Sequence, residues 1–395
     1  MANPVQYTYG APNTGSTAKS IPHPEPVSAL QIHVAGILVT VFGLNELPNE
    51  KDTDTAIDGG DDSPLGVSIL WLLHPRLQTQ ECMAPFAGHL IHEWNTHRKT
   101  LPRTNKNRRK GLIAISFDQR NHGTRLVVPL ANEAWRSGNE RHALDMYSCY
   151  AGTAADVSLL LDYIPGYIFA TGTGTGGASR VVERNLVMGI SLGGHAVWHV
   201  LCNDPRFTAG ISVVGCPDYA RLMADRARLS KRKSWLDGQG KEFFGSVDFP
   251  EALVESMGRG DPAGVVWGHD RKSDLGLGLR PGDLPDEELS EEQISRVKPV
   301  MKRVFGDKRV LVLSGGADKL VNYRFSKPFL DWVRKVSEKD GWFHDGGLYL
   351  EDHVFEGVGH EVTPPMVERM VDFLNQTLAV DESAGKVRAR RGSKI

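Results

Sequence analysis

A series of short, unbroken apolar runs constrains this chain most: Val67–Leu73 (VSILWLL), Gly111–Phe117 (GLIAISF), Asn185–Ile190 (NLVMGI), Gly210–Val214 (GISVV) and Val310–Leu313 (VLVL). These runs lack polar alternation, so strands made from them must be covered on both faces. Between them lie segments with a helical period. Pro85–Arg98 sets Phe86, Leu90, Ile91 and Trp94 on one face, and Ala154–Ile164 does the same with Val157, Leu160, Leu161 and Ile164. Further helices are expected over His195–Cys202, near Ser326–Ser337 and over Pro364–Leu378, the last capped by Thr363 with Pro364 in its first turn. A strand is expected near Leu348–Phe355, and Gln31–Phe42 reads as a bent strand or hairpin broken at Gly36. Strands alternating with helices predict an α/β fold, with a doubly wound, mostly parallel sheet.

From about Tyr219 to Lys298 the rhythm stops. This stretch holds charge runs (RARLSKRK, PDEELSEEQ) and aromatic islands at Phe243-Phe244 and Val266-Trp267. Disordered segments are poor in aromatics, so a packed, largely helical lid is expected. The organisation that follows is a loosely ordered arm (1–28), a core in two parts (29–218 and 301–380) around a lid (219–300), and a basic tail (381–395).

The chain has 395 residues and a formal net charge of −2, which argues against broad electrostatic binding to nucleic acid. Its longest apolar run, Val34–Leu44, is too short to cross a bilayer, so no stable membrane insertion is expected. The first residues lack the basic-then-apolar pattern of a signal peptide. Cys82, Cys149, Cys202 and Cys216 are scattered without CxxC spacing and read as thiols of a reducing compartment.

Chemistry concentrates at Gly189-Ile190-Ser191-Leu192-Gly193-Gly194-His195, a G-x-S-x-G pattern between an apolar run and an amphipathic helix. A nucleophile on so sharp a strand-to-helix turn projects its hydroxyl above the sheet, and flanking side chains would collide with backbone. The helix that follows aims its N-terminus at the same spot, which favours an oxyanion. Thr171–Gly177 (TGTGTGG) precedes a strand where a nucleotide loop would join strand to helix, and His89, His92 and Glu93 do not form a metal-binding H-E-x-x-H. No cofactor or metal is implied.

With these residues the sequence resembles the α/β-hydrolase superfamily over most of Gln31–Leu378, outside the expected lid. The resemblance is to serine esterase-, lipase- and thioesterase-like members. It implies a triad in the chain order Ser, acid, His. Ser191 is then the nucleophile. Asp318, after Val310–Leu313 in a small-residue turn, is the acid, with Asp218 in Gly215-Cys216-Pro217-Asp218 as the alternative. His360 in Glu356-Gly357-Val358-Gly359-His360 is the general base, while His344 and His353 read as structural. The oxyanion hole would use the N–H of Leu192 and a second N–H from the loop His74-Pro75-Arg76-Leu77. Family members often carry His-Gly there, so Pro75 is a departure and Arg76 becomes the second donor. The Arg76 side chain beside the pocket would favour an anionic substrate. Phe117-Asp118-Gln119-Arg120-Asn121-His122-Gly123 resembles the family's D-x-R-x-H-G turn, which holds loops together.

The expected activity is hydrolysis of a carboxylic ester or thioester, a small-molecule acyl substrate, through an acyl-enzyme. The alternatives are acyl transfer or C–C bond cleavage on the same triad, or ligand binding without turnover. The terminal Ser393-Lys394-Ile395 resembles a Ser-Lys-Leu peroxisomal address. It makes a peroxisomal import receptor an expected partner and the peroxisome, or else the cytoplasm, the expected location.

Overall fold

In the computed structural model, residues 24–49, 65–102, 104–169, 180–270 and 274–380 are described. The Thr171–Gly177 loop, the expected arm up to residue 23 and the Ser393-Lys394-Ile395 address lie outside them. Strand β1 (Ala29–Val34) turns back on β2 (Ile37–Phe42), so Gln31–Phe42 is a hairpin. Its turn residues, Ala35 and Gly36, both have positive φ. Then follow β3 (Leu65–Leu73), α1 (Ala84–Thr100), β4 (Gly111–Phe117), α2 (His142–Ile168), β5 (Arg180–Ile190), α3 (Leu192–Asn203) and β6 (Phe207–Val213).

Four helices come next: α4 (Tyr219–Leu229), α5 (Lys233–Leu236), α6 (Glu251–Gly260) and α7 (Pro262–Trp267). After them α8 (Glu291–Phe305) leads into β7 (Arg309–Gly315), and α9 (Lys327–Ser337), β8 (Tyr349–Phe355) and α10 (Pro364–Ala379) complete the order.

The strands form one sheet in the order β1-β2-β4-β3-β5-β6-β7-β8. The pairs β1–β2 and β2–β4 are antiparallel, and every later pair is parallel. Side chains of β3 alternate between two apolar layers. Ile69, Trp71 and Leu73 belong to the buried layer that holds α2, α3 and α8, whereas Leu70 and Leu72 belong to the layer that holds α1 and α10. Covering both faces is what the unbroken apolar runs require.

The segment after β6 is helical and packed. Tyr219, Phe243, Phe249 and Trp267 are fully buried in the same layer as α2 and α3. The Tyr219 hydroxyl donates to the carbonyl of Ala143 on α2 (2.7 Å). The boundary expected at residue 300 falls inside α8, whose Val297, Val300, Met301, Val304 and Phe305 are buried.

One expected cap is not made. Thr363 stands at the N-cap of α10, but its side chain accepts no capping hydrogen bond. Pro364 and Pro365 have no N–H to give, and the amides of Met366 and Val367 donate to the Thr363 carbonyl instead (3.0 and 3.1 Å). No helix among the described residues is long and apolar enough to cross a membrane.

Candidate active site

Ser191 sits between β5 and α3 with φ 56° and ψ −110°, a conformation that L-residues rarely adopt. Neighbouring backbone enforces it. Its N–H donates to the Val213 carbonyl (2.9 Å), and its own carbonyl accepts from His195 N (2.9 Å). A Cβ on Gly189 would strike the Gly193 carbonyl, and one on Gly193 would strike the carbonyl of Leu73. The two motif glycines are therefore steric requirements. As the first residue of α3, Leu192 has an N–H with no intrahelical acceptor, pointing from a positive helix end.

Two loops from the far end of the chain reach this serine. The loop after β8 brings His360, and its Nε2 accepts from Ser191 Oγ at 2.8 Å. The His360 Nδ1–H donates to Asp318 Oδ2 at 2.7 Å. A carboxylate can only accept, so this contact assigns the proton to Nδ1 and leaves Nε2 free to take one.

Asp318 follows β7, and its other oxygen accepts from the amides of Leu320 (2.8 Å) and Val321 (2.9 Å). Burial works against its charge, but the hydrogen bond from His360 and the two amides prevail and hold the carboxyl below its ordinary range. The acid and histidine loops are joined by Ala317 N to Val358 O (2.8 Å) and Gly316 N to Phe355 O (2.9 Å).

Asp218 is elsewhere engaged. It is the N-cap of α4, accepting from Arg221 N (2.9 Å), with the Arg221 guanidinium 3.0 Å from its second oxygen. Burial pushes its carboxyl up to about 6. His353 and His344 lie outside the set. His353 meets Glu351 (3.2 Å) on β8, and His344 meets the Gly341 carbonyl (3.0 Å).

The loop after β3 forms a tight turn in which Gln78 N donates to the Pro75 carbonyl (3.3 Å) and Leu77 takes φ 64°. Arg76 holds the second position, whose amide the turn does not use. Burial pulls the His74 imidazole down to about 4 and keeps it neutral. Its Nδ1–H donates to the Pro75 carbonyl (2.8 Å), and its Nε2 accepts from Gln119 N (2.9 Å).

The D-x-R-x-H-G turn thus braces this loop from β4. Asp118 accepts from Gln80 N (2.9 Å) and from Thr124 N and Oγ1 (2.8 Å each). Arg120 makes a two-pronged contact with Asp156 of α2 (2.9 and 3.1 Å).

A narrow cleft opens beside the elbow, lined by Leu192, Arg76, His122, Asn132, His142 and Met146 among others. The last two stand on the first turns of α2, which begins well before the Ala154 start that periodicity suggests. A larger cavity of about 280 Å³ lies between α2, α3 and α6, lined by Tyr147, His199 and Arg259, and does not reach Ser191. Cys149, Cys202 and Cys216 are buried thiols, each pushed up to about 12 by burial.

The strand order, with one antiparallel hairpin leading a parallel sheet and a serine elbow after β5, gives the chain the α/β-hydrolase fold. No family model and no curated protein matches the sequence. Solved structures similar to it include TT1662 from Thermus thermophilus, at 15% identity over 90% of this chain and 100% of that one, with a TM-score of 0.46. FphF, a fluorophosphonate-binding serine hydrolase of Staphylococcus aureus, shares 14% identity over 90% of this chain and 100% of its own (TM-score 0.40). Est1E from Butyrivibrio proteoclasticus shares 13% identity over 89% and 97% (TM-score 0.35).

Proposed function

We propose that this protein is a serine hydrolase that cleaves a carboxylic ester or thioester through an acyl-enzyme. The observation that carries the reading is the chain of contacts Ser191 Oγ–His360 Nε2–Asp318, at 2.8 and 2.7 Å, on an elbow whose next residue, Leu192, lines a narrow cleft. Oγ attacks the acyl carbon as Nε2 takes the hydroxyl proton. The oxyanion that forms is held by the amides of Leu192 and Arg76. The carbon–leaving group bond breaks, and His360 returns the proton to the departing alcohol or thiol. Water then attacks the acyl-enzyme, His360 takes its proton and returns it to Oγ, and the carboxylic acid leaves. Asp318 keeps the imidazole in the one tautomer this sequence needs and faces the positive charge it gains. Helix α4 contacts two residues of the cleft wall, His142 and Met146, through Arg226, and in this reading α4–α7 act as the lid that selects substrates.

The test is labelling by a fluorophosphonate together with hydrolysis of a series of p-nitrophenyl esters and acyl thioesters. Wild type should label and turn over, and Ser191→Ala should do neither. Equal labelling and turnover by both proteins would remove Ser191 from the mechanism. Product analysis with competing alcohols and amines separates hydrolysis from acyl transfer.

A further inference from the structure

Helix α4 carries three arginines with different fates. Arg221 lies 3.0 Å from the Asp218 carboxylate, and Arg228 lies 2.7 Å from that of Asp225. Arg226, between them, reaches two residues of the cleft wall and finds only neutral partners. Its Nη1 meets Met146 Sδ (2.9 Å) and donates to His142 Nε2 (3.2 Å), and its Nη2 donates to the carbonyl of Leu320 (3.2 Å). His142 donates from Nδ1 to the Glu133 carbonyl (2.9 Å), so its Nε2 is the acceptor and the ring is neutral. Burial, then the charges of Arg226 and Arg76, hold it well below its ordinary range.

Arg76 is similar. It lines the cleft beside Leu192 and donates from Nη1 to the main-chain carbonyl of Asn132 (2.8 Å). Among the described residues no carboxylate oxygen lies within 4.0 Å of either guanidinium. Asp145 lines the same cleft and Glu133 is near Arg76, yet neither closes an ion pair. Burial first, and then the charge of Arg76, pull the Arg226 guanidinium down to about 10.

Two half-buried cations that repel each other cost stability unless something anionic joins them. Planar guanidinium groups suit carboxylate and phosphate oxygens best. We propose that Arg76 and Arg226 form an anion subsite beside the nucleophile, so that the acyl group this protein hydrolyses carries its own carboxylate or phosphate. Arg76 meets the anion directly, with Arg226 behind His142 supplying field and orientation. This inference rests on the hydrolase reading above.

The test compares p-nitrophenyl hydrogen adipate with p-nitrophenyl hexanoate, acyl groups of equal chain length that differ in charge. Wild type should favour the anionic ester in kcat/KM by on the order of 10- to 100-fold, the range of a hydrogen bond to a charged group. Arg76→Gln and Arg226→Gln should each shrink that ratio by tenfold or more, and Arg76→Lys should restore part of it. A general loss of turnover cancels in the ratio, and melting temperatures identify a variant that has not folded. Competitive inhibition by adipate and by pentyl phosphate distinguishes the two kinds of anion. If the neutral ester is cleaved as well as the anionic one, or the ratio survives both substitutions, the anion subsite is wrong while the hydrolase stands. If wild type cleaves neither ester and takes no fluorophosphonate, the hydrolase reading itself has failed.

Discussion

Gly193 packs against the main-chain carbonyl of Leu73 so closely that no side chain fits between them. The turn that lifts Ser191 is therefore wedged onto the end of β3, and the two loops flanking the expected oxyanion site hold each other in place. Gly193→Ala should force them apart. A loss of about 3 kcal/mol or more in urea unfolding is expected, as for overpacking at a tight core site. Fluorophosphonate labelling should fall even at temperatures where the variant stays folded.

Asp318→Asn should leave the fold in place and remove the tautomer control of His360. An amide at Asp318 can donate toward Nδ1, which turns the ring's proton toward Ser191. A drop in kcat on the order of 10³- to 10⁴-fold is expected with KM little changed, measured on one p-nitrophenyl ester.

Asp218→Asn should behave differently and has a pH signature. Burial pushes the Asp218 carboxyl up to about 6, above its ordinary value. A group raised in this way holds extra protons when folded, so its contribution to stability is present at low pH and is lost as pH rises through about 6. The difference in unfolding free energy should therefore shift toward the asparagine variant by on the order of 2 kcal/mol between about pH 4 and about pH 7.5. Asp261, pushed up by burial and by Asp218, is relieved in the same direction. Asparagine still caps α4. Ester turnover should stay within a few-fold of wild type, which would dismiss Asp218 as the catalytic acid.

Tyr219→Phe removes the hydroxyl that donates to the Ala143 carbonyl and so loosens the helices after β6 from α2. A loss of about 0.5–1.5 kcal/mol is expected, because the Ala143 carbonyl keeps its helical partner and loses only the second hydrogen bond. Protease nicking between residues 229 and 251 should rise with it if this segment opens as a lid.

Much of this was legible because it is local. The runs VSILWLL and GLIAISF became β3 and β4, and G-x-S-x-G marked the elbow, since strand burial and glycine sterics depend on few neighbours. The start of α2 was not legible. His142, Met146, Tyr147 and Tyr150 are buried on several sides because helices from a distant part of the chain cover them, so no amphipathic stripe appears. Arg226 was hidden for a related reason. Within RARLSKRK nothing local distinguishes the arginine that reaches the cleft wall from those that pair with acids. Thr363 shows the converse, a local cap signal defeated by the two prolines beside it.

The hydrogen-bonded set is also spread along the chain: His360 is 169 residues beyond Ser191 and follows the last strand of the sheet. Under the proposed function, the serine on its elbow lacks its base until β8 adds to β7, however complete the first part of the core is. On that reading, a growing or truncated chain ending before that strand stays inert. Under the proposed function, labelling by a fluorophosphonate would then report that the whole sheet has closed.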